Sequence, residues 1–106
     1  MAEYLQVLTT AGSEEEADRI GAALVERRLA ACAQVLGPIA SRYRWQGKIE
    51  QAQEWMCVAK TEASRYPELE AAIRELHSYD EPEIVATPIV AGSKGYLDWL
   101  GDSLNP

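Results

Sequence analysis

His77 is the only histidine in the chain, and Asp80, Glu81 and Glu83 follow it closely. Imidazole is the side chain best suited to bind Cu(II) or Zn(II) at neutral pH, and nearby carboxylates add oxygen ligands. One imidazole per chain makes a sparse site, so a metal reading asks several chains to pool their donors. His77 has a second reading, as a residue at the end of a helix that meets the last carbonyls and the helix dipole. A different set, Tyr43, Trp45, Glu54, Lys60, Tyr79 and Glu83, combines polar side chains with aromatics. Such residues can line a cleft between subunits for a small anion or metabolite. They can equally form an interface network, with Lys60 paired to a carboxylate and the tyrosine hydroxyls satisfying buried backbone. Trp45, Trp55 and Trp99 read as interface and core anchors.

Cys32 and Cys57 lack C-x-x-C spacing and read as small buried apolar residues of a reducing compartment. The sequence leaves open whether strand pairing brings them together. The chain has no nucleophile elbow, phosphate-cradling glycine loop or metal-hydrolase histidine pair, so a binding protein is expected rather than an enzyme.

Composition narrows the class further. With 106 residues, 47% apolar and 25% charged, residues 1–106 are expected to form one soluble domain with one core. A net charge of −7 argues against nucleic acid as a partner, and the surplus glutamates read as solvated helix surface. No apolar run approaches the roughly 20 residues of a membrane span, and Met1-Ala2-Glu3 begins no signal peptide. A cytoplasmic protein without a membrane partner is expected.

These residues must be held by elements that the pattern defines well. Tyr4 to Thr10 reads as a first strand. Ser13 and Glu16 form a capping box for a helix with Ala17, Ile20, Leu24 and Val25 on its buried stripe, and late Arg27-Arg28 suit its dipole. A small-residue strand begins near Ala30 and should bend at Gly37-Pro38 or lie at an edge. A third strand runs to Thr61, its block from Trp55 to Ala59 central and buried on both faces. Tyr66-Pro67 opens a second helix with Leu69, Ala72, Ile73 and Leu76 inward, ending at His77. Glu83 to Ile89 reads as the fourth strand, and Ser93 caps a final helix with Tyr96, Leu97, Trp99 and Leu100 apolar. Two split βαβ halves joined by a hairpin specify an α+β class, a ferredoxin-like βαββαβ sandwich with a C-terminal helix.

The hairpin turns at Gln46-Gly47, which places Arg44 opposite Ile49 and Tyr43 opposite Glu50. Arms of some 15 residues span roughly 50 Å, whereas a compact domain of this length is about 33 Å across. The ribbon should overhang its own domain, exposing Tyr43, Trp45, Ile49 and open strand edges. An oligomer that covers it is expected.

Read together, Leu29-Ala30-Ala31-Cys32, Ser41-x-Tyr43-x-Trp45-x-Gly47-Lys48-Ile49, Glu54, Lys60-Thr61, Leu76-His77-x-Tyr79, Pro82-Glu83-Ile84 and Tyr96-Leu97-x-Trp99-Leu100 follow an order and spacing that resembles the CutA divalent-cation tolerance family. The resemblance covers nearly the whole chain. It implies a ferredoxin-like protomer, a tight homotrimer built by intersubunit strand pairing, and a cytoplasmic role in tolerance of copper and other divalent ions. It implies His77 as the metal ligand to carry over, and Cys32 stands at the family's cysteine position in the second strand. The alternative is a trimeric signalling or binding module with small-molecule sites in its intersubunit clefts.

Overall fold

The computed structural model describes residues 3–106. Its elements are β1 (Tyr4–Ala11), α1 (Glu14–Glu26), β2 (Cys32–Trp45), β3 (Lys48–Glu62), a 3-10 turn (Ala63–Arg65), α2 (Tyr66–Leu76), β4 (Ile84–Pro88) and α3 (Lys94–Leu104). The four strands form one antiparallel sheet in the order β2-β3-β1-β4. This is the ferredoxin-like arrangement.

Strand parity divides the sheet into two faces. Val7, Ala59, Ile20, Leu24, Leu69, Ala72 and Ile73 pack together under α1 and α2, and Ala11, Cys57 and Ala17 extend that core toward the hairpin. Even-numbered residues of β3 near these positions, Glu54, Met56, Val58 and Lys60, point to the opposite face. Lys60 is the ladder partner of Cys32, and the Cys32 thiol meets the Tyr96 hydroxyl of α3 at 3.5 Å. The last helix therefore reaches the face that α1 and α2 leave open. Leu100 and Leu104 are its buried residues.

The turn chemistry is local and clear. Gln46 and Gly47 both take positive φ, 50° and 77°, the geometry of a two-residue hairpin turn whose twist matches its strands. Tyr43 faces Glu50 and Arg44 faces Ile49, as the spacing predicts. A register shift between Leu36 and Ile39 brackets Gly37-Pro38 on the edge strand β2. The hairpin makes the protomer long, 44 × 25 × 23 Å, and leaves Tyr43, Trp45 and Ile49 exposed.

Several expectations change. Val25 is 41% exposed and leaves the stripe, since α1 turns only Ala17, Ile20, Gly21 and Leu24 inward with Glu16. Arg28 adopts a left-handed φ of 57° past the end of α1 and donates to the Ser103 carbonyl at 2.7 Å, so it serves the end of α3. Ser93 precedes α3 but its side chain makes no capping bond. The middle of β3 is buried at Cys57, Val58 and Ala59, whereas Trp55 and Met56 are half-buried. The fourth strand is shorter than its pattern, Ile84–Pro88.

Candidate functional site

The turn between α2 and β4 carries the first group of candidate residues. His77 is the C-cap residue of α2, with its backbone N–H on the Ile73 carbonyl. Its side chain is fully buried. Nε2 lies 2.7 Å from the Thr10 carbonyl, which can only accept, so Nε2 carries the proton. Nδ1 accepts the Tyr79 N–H at 3.1 Å. The ring is thus a neutral imidazole with both nitrogens engaged by backbone. That fits the helix-end reading in part: the ring leaves its own helix and locks the following turn to β1.

Glu16 sits behind this ring. Ser13 does accept the Glu16 N–H at 3.1 Å, but the Glu16 carboxylate does not complete a capping box. It accepts the Ser78 N–H at 2.7 Å and the Ser78 hydroxyl at 3.0 Å, and its Oε2 is 3.5 Å from His77 Nδ1. Burial acts to raise this carboxyl, but the two Ser78 bonds, aided by the Arg19 charge, hold the group below its ordinary range. The sequence pattern accounts for Glu16 only as part of a cap; its partnership with Ser78 spans 62 residues and leaves no local signal.

Tyr79 joins this turn to the base of the hairpin. Its ring packs on the imidazole with centroids 4.8 Å apart, and its hydroxyl donates to Glu54 Oε2 at 2.9 Å. Burial, and then the Glu54 bond, push the phenol up to about 12. Glu54 is 7% exposed, a nearly buried carboxylate that the Tyr79 hydroxyl only half satisfies. It lines a recess of about 360 Å³ with Thr10, Ser41, Arg42, Tyr43 and Glu83. Tyr43 also borders a second recess of about 500 Å³, shared with Trp45, Glu50, Tyr79, Asp80 and Glu81. Both volumes fall within the span of small-ligand sites.

The structure thus places Tyr43, Glu54 and Glu83 on one recess and Tyr43, Trp45 and Tyr79 on a second that reaches toward the hairpin tip, with His77 packed behind Tyr79. Lys60 stands apart. It lies six residues beyond Glu54 on the same face, about 20 Å at strand rise, and donates to Gln34 at 3.0 Å. Cys32, its ladder partner, lies at that far end too, away from His77. Cys32 and Cys57 are both free; Cys57 pairs with Val35, three rungs from Cys32 and on the opposite face. Among the described residues, no three His, Cys, Asp or Glu side chains converge to hold a metal ion.

Comparison with known proteins supplies the family. The profile described as "CutA1 divalent ion tolerance protein" matches residues 5–103. The chain is 46% identical to the divalent-cation tolerance protein CutA of Thermus thermophilus, covering 92% of this chain and 94% of that one. It is 41% identical to its counterpart from Archaeoglobus fulgidus, over 92% and 95% of the two chains. The crystal structure of CutA1 from the psychrotrophic bacterium Shewanella sp. SIB1 superposes with a TM-score of 0.95 at 37% identity, covering 99% of this chain and 98% of that one. With a profile match across nearly its full length and relatives this similar, the chain belongs to the CutA divalent-ion tolerance family.

Proposed function

We propose that this protein acts in divalent-cation tolerance as a homotrimer that binds copper or another divalent ion in the clefts between its subunits. The carrying observation is Glu54. Its carboxylate is largely shielded, with one oxygen on the Tyr79 hydroxyl and the other free in the recess it shares with Tyr43 and Glu83, an arrangement that favours a cation at the free oxygen. Glu83 lines the same recess and supplies a second oxygen donor within reach of the cleft. A first-row metal needs more ligands than one protomer assembles, and a neighbouring copy meeting the overhanging hairpin would complete the set. His77 supports this cleft from behind, and it would join the metal itself only by giving up Thr10 or Tyr79. Cys32 would need to act at the other end of the sheet, as a separate site.

The two free cysteines suit a reducing cytoplasm, which we take as the compartment. A second reading rests on the 500 Å³ recess under Trp45: a small effector bound between subunits, with metal tolerance indirect. Calorimetry with Cu(II) separates the two. Under the metal reading, Glu54→Gln weakens Cu(II) binding at least tenfold and His77→Ala weakens it less. Equal binding by wild type and Glu54→Gln would remove the cleft from the account.

A further inference from the structure

Glu16 is the buried acid that metal binding at the cleft leaves without a task. An acidic residue in the first turn of a helix normally stays in solvent and favours the dipole, or reaches back to the cap residue. Glu16 does neither, being 7% exposed with both carboxylate oxygens on Ser78. Capturing one residue's N–H and hydroxyl with two oxygens of one carboxylate fixes both its position and its orientation.

Ser78 lies between two residues that are anchored elsewhere. His77 before it is tied to β1 through the Thr10 carbonyl. Tyr79 after it is tied to β3 through Glu54. Three consecutive residues thus bind three separate elements, α1, β1 and β3, and the His77–Tyr79 bond links the outer two. We propose that Glu16 is a positioning residue: through its clamp on Ser78 it holds the 77–79 turn so that the Tyr79 hydroxyl meets Glu54 and orients that carboxylate toward the cleft. This rests on Glu54 as a cation ligand. It adds a residue on α1 that touches neither the cleft nor any cation there, yet sets the direction of the ligand.

The test uses the full chain with Glu16→Ala, Glu16→Gln and Ser78→Ala, and two readouts. The first needs no metal. With a single histidine, ¹⁵N-histidine NMR reports His77 alone, and the wild type shows a protonated Nε2 and an unprotonated, hydrogen-bonded Nδ1. The second is Cu(II) affinity by calorimetry. Glu16→Ala is expected to average the two histidine tautomers and to weaken Cu(II) binding about tenfold, as loss of an outer-shell support does. Glu16→Gln retains an oxygen for the Ser78 N–H and is expected to recover most of both signals. Ser78→Ala keeps that N–H bond and loses the hydroxyl, so it should fall between; it also carries the test if Glu16→Ala does not fold. A fixed tautomer together with wild-type affinity in Glu16→Ala, or in Ser78→Ala in its place, overturns the proposal. Absence of Cu(II) binding in the wild type would instead sink the reading of Glu54, while the histidine signal still decides whether Glu16 sets the turn.

Discussion

Burial acts to raise both Glu16 and Cys57, yet the two acids end shifted in opposite directions. For Glu16, hydrogen bonds from Ser78 outweigh burial and hold the folded carboxyl below its unfolded value. A group depressed in this way contributes stability above the ordinary glutamate value of about 4.3 and loses it as pH falls through the folded value. Wild type should therefore exceed Glu16→Gln in stability at pH 7, with the gap closing below about pH 4, as followed by urea denaturation. Glu16→Ala also strands the Ser78 N–H, and about 1–3 kcal/mol of destabilisation is expected. Cys57 has no compensating partner. It is 1% exposed, and burial, with Asp18 nearby, pushes its thiol up to about 11. A thiol reagent at pH 8 should leave Cys57 unmodified in the native protein and titrate both cysteines in denaturant.

At the scale of elements, what could be read from sequence was what neighbouring residues encode. Alternation and the Gln46-Gly47 turn set the β2–β3 register, and the apolar stripe of α2 placed Leu69, Ala72 and Ile73 in the core. Pairings across the chain were hidden. Ser13-x-x-Glu16 reads identically whether the glutamate returns to its own cap or crosses to Ser78. Lys60 and Glu54 share a face and their six-residue spacing sets them about 20 Å apart, but their partners, Gln34 and Tyr79, left no local signal. The end of α3 is another such case, because the helix has no basic residue in its last turn. Its carbonyls are met by arginines from elsewhere, Arg28 on Ser103 and Arg65 on Leu104 at 2.5 Å, with Arg65 also reaching the Asn105 side chain at 2.8 Å. Positive charge at a helix C-terminus satisfies free carbonyls and opposes the dipole. Arg65→Ala is expected to cost about 1–2 kcal/mol and to raise amide exchange first in α3, whereas Arg27→Ala, whose partner Glu75 is exposed, should be nearly silent.

For the whole molecule, the overhang inferred from strand length is present, in a protomer nearly twice as long as it is wide. Trp45 at 56% and Ile49 at 63% exposure at the end of a two-stranded ribbon are the surfaces a neighbour should cover. Light scattering is expected to give three times the 11.7 kDa chain mass. Replacing Trp45 and Ile49 together by aspartate should shift that mass toward the monomer. In the proposed trimer assembly and chemistry are joined, since the Glu54 carboxylate would become a cation site only where copies meet. Anomalous scattering at the copper edge, from crystals of the assembled protein soaked in Cu(II), tests it most directly. The account predicts a peak within bonding distance of the Glu54 carboxylate at a subunit boundary. A peak confined to Cys32 or to the outer carboxylates of Asp80 and Glu81, with Glu54 bare, would contradict it.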